Sequence, residues 1–246
     1  MHVVHARPAE LSPSHGTMIP SIAERDWPPM RLVASAGTLA RSTRMTYLKH
    51  QAVFRAGDPA TRLFEVIEGA VMVYQLLDDG RRQVVDLILP GGICGFSTSG
   101  HYASTGEALK WFLVRSHAKS DVARPDALRQ KLIASAEQQI CRMHQHALTL
   151  GRKTAEERVC TLLMLFAEAN IGFVDQDGPV PRGGLALDVP MTRGEMGDYL
   201  GLSLETVCRT LSDMQQKAVI EIGRKQGEVR IRNLRRLREL ASLDAA

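Results

Sequence analysis

From Met45 to Ser116 the apolar positions come in short runs broken by glycine-centred turns. Val53-Phe54 stops at Arg55-Ala56-Gly57-Asp58, and the runs Leu63–Ile67 and Ala70–Tyr74 flank Glu68-Gly69, a hairpin signal. Asp78-Asp79-Gly80 turns into Arg82–Leu89, which Pro90-Gly91-Gly92 closes. Short strands at intervals of roughly 8–12 residues with turn chemistry between them predict a β-sandwich or jelly roll. The period then changes. Within Pro125–Gly151, Ile133, Ala136, Ile140, Met143, Ala147 and Leu150 alternate steps of three and four, the narrow seam of a two-stranded coiled coil. The alternative is an amphipathic helix packed on its own domain, which shows a wider stripe. Glu156–Asn170 continues as a helix with Val159, Leu162, Leu163 and Phe166 apolar, and the Gly-, Asp- and Pro-rich stretch Gly172–Asp188 predicts a loop or β-hairpin.

Beyond it two short helices are predicted around Leu200-Gly201-Leu202. Thr192 and Glu195 have the spacing of a capping box, Gly201 suits a left-handed turn, and Ser203 suits an N-cap. In the second helix Val207, Leu211 and Met214 follow the buried i, i+4, i+7 rule. Turning about 100° per residue puts Glu205, Arg209 and Ser212 on the opposite face, with Leu204 and Cys208 between the two. A carboxylate and a guanidinium one turn apart can read a cytosine and a guanine edge in the major groove. They can also form a plain i, i+4 surface ion pair. Ile220-Glu221-Ile222 and Val229-Arg230-Ile231 alternate as half-buried strands around Gly223–Gly227, a wing whose basic tip, Arg224 and Lys225, is placed to meet phosphate. The candidate DNA contacts are thus Thr192, Ser203, Leu204, Glu205, Cys208, Arg209, Arg224 and Lys225. Arg235, Arg236 and Arg238 are equally explained as a solvated helix face.

The expected fold class is α+β: an N-terminal β-roll of the jelly-roll, cyclic-nucleotide-binding-like kind, a long dimerisation helix and a C-terminal winged helix-turn-helix. The boundaries follow the texture. Residues 1–28, with Pro8, Pro13, Pro20 and Pro28 and no apolar period, are expected to be a flexible extension, and a short helix is plausible over Met30–Ala40. The β-roll is assigned 29–122, the dimerisation helix 123–151 and the DNA-binding domain 152–246. The dimer interface is assigned to Ile133, Ala136, Ile140, Met143, Ala147 and Leu150.

Composition narrows this little. The 246 residues are enough for two domains, and a net charge of +4 with pI near 9.0 fits a nucleic-acid binder without establishing one. No apolar run approaches membrane-spanning length and the first residues lack a signal-peptide core, so no membrane association is expected. Cys94, Cys141, Cys160 and Cys208 form no C-x-x-C pair, which argues against a zinc ribbon or a disulfide framework and for a reducing cytoplasm.

This order of parts resembles the Crp/Fnr family of bacterial transcription regulators over roughly residues 30–240. The resemblance is carried by Phe54-Arg55-Ala56-Gly57-Asp58, Asp79–Gln83, Leu89–Gly95 and Leu202–Arg209. The last segment looks most like the Fnr/FixK branch, with its Glu-x-x-Ser-Arg recognition helix. Glu205 and Arg209 match that pattern, whereas Cys208 stands where serine is usual, which puts preference at one base position in doubt. The resemblance implies a homodimer on double-stranded DNA of the TTGAT…ATCAA kind and contact with RNA polymerase. It also implies a regulator tied to low-oxygen or nitrogen-oxide responses.

The family's signals are mostly missing. Cyclic-nucleotide members hold the phosphate with an Arg-Ser pair, but Pro90–Leu109 contains no arginine or lysine. A phosphate buried there without a cation is costly, although a small helix in the stretch could donate amides. An iron–sulfur cluster needs four thiolates or equivalents, and no cysteine precedes Cys94. No cofactor is therefore assigned, while haem ligation by Cys94, His101 and His117 stays open, and with it a ligand- or haem-gated regulator. Cys141, His144 and His146 lie close on the dimer helix but have no fourth ligand, so no metal site is assigned. Cys208 is the redox candidate, because a helix first half and the adjacent Arg209 both favour a thiolate. The alternative is an inert serine substitute against a base methyl group. An enzyme of the cupin type would need inward-facing histidines on strands. His50, His101 and His117 are scattered, and no catalytic constellation appears.

Overall fold

The computed structural model describes residues 42–120, 127–171, 183–225 and 227–241. The expected 1–28 extension and the helix expected over 30–40 lie outside the described residues. In chain order the first strands are β1 (Thr43–Tyr47), β2 (Ala52–Phe54), β3 (Arg62–Glu68) and β4 (Val71–Leu76). Then come β5 (Arg82–Ile88), β6 (Ile93–Cys94), β7 (Thr105–Ala108) and β8 (Phe112–Ala118). They form two antiparallel sheets, β1-β8-β3-β6 and β2-β7-β4-β5. Tyr47, Phe64, Val66 and Val114 from one sheet and Phe54, Val71, Val73 and Ala108 from the other share one buried cluster.

One expectation fails here. Glu68-Gly69 does not close a hairpin, because β3 pairs with β8 and β6 while β4 pairs with β5 and β7. The turn carries the chain from one sheet to the other. Gly69 has φ +90°, and a Cβ there would lie 2.6 Å from the Trp111 carbonyl oxygen, so the glycine serves a close approach to the start of β8. The turn expected at Asp78-Asp79-Gly80 is present and makes a hairpin, joining β4 and β5 from Val71↔Ile88 to Leu76↔Arg82.

Helix α1 (Ala127–Arg152) packs one face on the β-roll. Leu128 and Leu132 meet Leu63 and Ile93, and the Ser135 hydroxyl accepts from the Ile93 amide at 3.0 Å. The polar anchor is Glu65 on β3, which is 3% exposed. It meets His117 Nε2 at 3.1 Å, Arg115 Nη1 at 3.3 Å and the Lys131 ammonium of α1. Burial by itself would raise the Glu65 carboxyl, but hydrogen bonds from His117 and Lys131 and the Lys131 and Arg115 charges outweigh it, holding it at about 2. Further along, Gln139 donates to Asp86 on β5 at 2.8 Å.

The rest of the chain is α2 (Ala155–Ile171), β9 (Leu185–Asp188), α3 (Arg193–Leu200), α4 (Leu204–Gln216), β10 (Ile220–Ile222), β11 (Glu228–Ile231) and α5 (Leu234–Ala241). The end of the stretch expected as a loop or hairpin is thus a strand, which adds to the wing as β10-β11-β9. Val159, Leu162, Leu163 and Phe166 of α2 join Val207, Leu211 and Met214 of α4 and Leu234 and Leu237 of α5 in one core. That core runs on through Met196 and Leu200 of α3 to Met72, Val84 and Leu87 of the β-roll. The helix-turn-helix is therefore docked on β5. Arg82 Nη2 lies 2.7 Å from Asp198 Oδ2, and the His146 and Tyr199 rings stack at 4.1 Å. Among the described residues no helix is long and apolar enough to cross a membrane.

Candidate nucleic-acid interface

The two helices are fixed locally by the side chains the sequence supplies. The Thr192 hydroxyl accepts from the Glu195 amide at 3.2 Å while Glu195 Oε2 accepts from the Thr192 amide at 2.6 Å, a reciprocal capping box. Gly201 ends α3 at φ 61°, ψ 40°, where a side chain would be strained. Gly197 lets the helices close on each other, since a Cβ there would stand 2.6 Å from the Leu202 carbonyl oxygen. Ser203 caps α4 by accepting from the Thr206 amide at 3.1 Å.

Val207, Leu211 and Met214 are buried, and Thr210 joins them at the core edge. Glu205, Cys208, Arg209 and Ser212 are exposed, as is Leu204 at 57%. Among the described residues Glu205 and Arg209 form no ion pair, with each other or with any neighbour. Both are left facing solvent from the same side of α4. Ser212 turns its hydroxyl back to the Cys208 carbonyl at 3.0 Å, so it presents less to a ligand than its position suggested.

Arg224 and Lys225 are exposed at the wing tip. Between the wing and the start of α3 lies a groove of about 370 Å³, lined by Thr192, Arg193, Met196, Ile222, Arg224 and Lys225 among others. Arg193 is a member that sequence reasoning missed. In sequence it is only the residue after the N-cap, and the packing turns it into the groove. Burial pulls its guanidinium below the ordinary value, and the nearby Cys208 side chain opposes that shift. Thr192 and Arg193 at the start of α3 and Arg224 and Lys225 of the wing therefore surround one basic, concave surface.

On α1 the assigned seam runs beside the face packed on the β-roll and is largely left in solvent. Ile133, Ile140 and Met143 are 52%, 54% and 49% exposed, Ala147 is exposed, and Ala136 and Leu150 are half-buried. The buried face of α1 is the neighbouring one, with Leu128, Leu132, Ser135 and Thr149.

The remaining candidates are separated by the fold. Cys94 is buried in the sheet-to-sheet core, beneath Phe64, and burial raises its thiol. His117 is buried against Glu65, toward α1, and His101 is exposed on a loop. The three do not converge. The small helix expected within 90–109 is absent, because the segment is strand, turn and bend. Phe54 stacks on Phe64 at 5.7 Å and meets the Tyr102 ring at a tilt at 4.6 Å, filling the space between the sheets. Cys141 and His144 are exposed, and His146 is occupied by Tyr199.

Residues 157–240 match the Crp-like helix-turn-helix domain and residues 44–116 match the Cyclic nucleotide-binding domain. The nitrogen fixation regulation protein FixK of Bradyrhizobium diazoefficiens is 32% identical over 73% of this chain and 74% of its own length. The chain belongs to the Crp/Fnr family of transcription regulators. The transcriptional activator protein FnrL of Cereibacter sphaeroides is 31% identical over 81% of both chains. The structure of FixK2 from Bradyrhizobium japonicum superposes with a TM-score of 0.69 at 32% identity, covering 82% of this chain and 98% of that one. These relatives place the chain in the FixK-like branch, among regulators and not enzymes.

Proposed function

We propose that this chain is a homodimeric, sequence-specific DNA-binding regulator of the Fnr/FixK type that reads a two-fold site with TTGA-type half-sites. The observation that carries the reading is the exposed, unpaired Glu205–Arg209 face of α4, flanked by the basic groove at Arg193, Arg224 and Lys225. Unpaired groups at that spacing are free to exchange water for base edges, and the wing cations add phosphate contacts that fix the register. The apolar seam on α1 supports pairing of two copies, because a stripe that large stays in water unless another helix covers it.

In this reading the regulator works in the cytoplasm without iron–sulfur cluster or cyclic nucleotide. It answers low-oxygen or nitrogen-oxide conditions and contacts RNA polymerase from the bound site. The aromatic filling of the β-roll and the lack of an arginine or lysine over 90–109 support the absence of a nucleotide. Cys208 adds redox control. Its exposed thiol sits on the DNA-facing helix, and oxidation by peroxide to a sulfinate sets negative charge against phosphate.

Selection from a random DNA pool, run with and without reductant, tests both parts. Enrichment of a palindrome with TTGA-like half-sites is expected, and a pool with no enriched palindrome overturns the reading. Peroxide is expected to abolish binding by the wild type and to spare Cys208→Ser. Equal loss in both proteins removes Cys208 as the sensor.

A further inference from the structure

Where the helix-turn-helix meets the β-roll, three side chains from distant parts of the chain converge. His50 lies in the β1–β2 connection, Glu107 on β7 and Glu195 in the first turn of α3. His50 Nδ1 is 2.9 Å from Glu107 Oε1 and 3.5 Å from Glu195 Oε1, and the three ligand atoms all lie within 4.8 Å of one another. We propose that His50, Glu107 and Glu195 bind a divalent transition-metal ion that locks the DNA-binding domain onto the β-roll.

Charge is the first argument. Two carboxylates face one imidazole, and among the described residues no lysine or arginine comes within ion-pair distance of either. The Glu195 side chain is 4% exposed, and its Oε1 faces His50 Nδ1 at 3.5 Å. Two carboxylates around a single imidazole leave negative charge unmatched whatever the state of the ring, and a divalent ion supplies the missing charge.

Geometry is the second. Tetrahedral sites with bonds of about 2.0–2.2 Å hold neighbouring ligand atoms roughly 3.3–3.5 Å apart. The His50–Glu195 distance of 3.5 Å meets that range and the His50–Glu107 distance of 2.9 Å falls short of it, so a metal asks His50 and Glu107 to part by tenths of an ångström. Each carboxylate already has its other oxygen held. Tyr74 donates its hydroxyl to Glu107 Oε2 at 3.3 Å, and the Thr192 amide donates to Glu195 Oε2 at 2.6 Å. Such outer contacts orient ligands toward a metal. Coordination through Oε1 also leaves the capping box of α3 intact. One nitrogen with two carboxylate oxygens suits Zn²⁺ and its first-row neighbours better than Mg²⁺ or Ca²⁺, which prefer all-oxygen shells.

The test uses the full-length chain stripped with EDTA and titrated calorimetrically with Zn²⁺. One Zn²⁺ per chain is expected. His50→Ala and Glu107→Gln, both at positions outside the core, should each weaken binding at least tenfold, and Tyr74→Phe roughly tenfold. The double substitution Cys141→Ser with His144→Ala should leave this site unchanged. No binding, or binding that survives both His50→Ala and Glu107→Gln, overturns the site. Zn²⁺ should also slow amide exchange in the first turn of α3 in the wild type and not in Glu107→Gln. Stoichiometric binding without that protection overturns the locking role.

Discussion

The Glu65 cluster holds the long helix to the β-roll, and its strength can be worked from the structure. Glu65→Gln keeps the shape and one acceptor but removes the charge that His117, Arg115 and Lys131 surround. Holding the carboxyl at about 2 instead of 4.5 is worth roughly 3 kcal/mol at neutral pH. A depressed carboxylate contributes fully above its unfolded value, so this stability is complete above pH 4.5 and is lost as pH falls toward 2. About 1.4 kcal/mol of it is gone by pH 3.5. Arg115 and Lys131 are partly exposed and can turn to water once the charge is removed, which keeps the loss near this figure. Urea unfolding of both proteins at pH 7, 5 and 3.5 is the assay. The wild type should be more stable by about 3 kcal/mol at pH 7, with the gap narrowing by about 1.4 kcal/mol at pH 3.5. Parallel pH profiles for the two proteins would refute the reasoning.

Ile140→Asp places a charge in the exposed α1 seam and should convert dimer to monomer in sedimentation velocity, with loss of binding to a palindromic duplex. Arg209→Ala and Glu205→Ala should each cost about 1–3 kcal/mol at one base pair and relax preference there, whereas Lys225→Ala should weaken all sequences alike and lower the salt slope by about 1, read by binding isotherms at several salt concentrations. Gly197→Ala forces a Cβ to 2.6 Å from the Leu202 carbonyl oxygen and should destabilise the helix-turn-helix by about 1–3 kcal/mol, seen as a lower Tm with DNA binding weakened.

The helix-turn-helix was legible because its information is local. Thr192 and Glu195, Gly201, and Ser203 mark the helix ends within four residues of the groups they satisfy, and Val207, Leu211 and Met214 mark the buried face by period alone. The same holds for the seam of α1, where Ile133, Ile140 and Met143 are left out of the home core as their spacing implied. Arg193 was missed because nothing local distinguishes a groove arginine from any other residue in a first helical turn. Glu68-Gly69 misled for a related reason. Turn chemistry specifies that the chain reverses, but whether the next strand pairs with the last or crosses to another sheet depends on partners far along the chain, here β8 and β7.

Sequence by itself thus determined the order of parts, the capped helix pair, the exposed Glu205 and Arg209 and the apolar seam, all features with a short period or a short reach. Tertiary structure alone decided how the parts meet. It set the helix-turn-helix on β5, put Cys94 and His117 on different sides of a sheet, and buried Glu65 among His117, Arg115 and Lys131. It also brought His50, Glu107 and Glu195 within 4.8 Å of one another. Those three are separated by 57 and 88 residues along the chain. Periodicity and capping act over a turn or two, whereas convergence at that separation is set by the packing of whole domains.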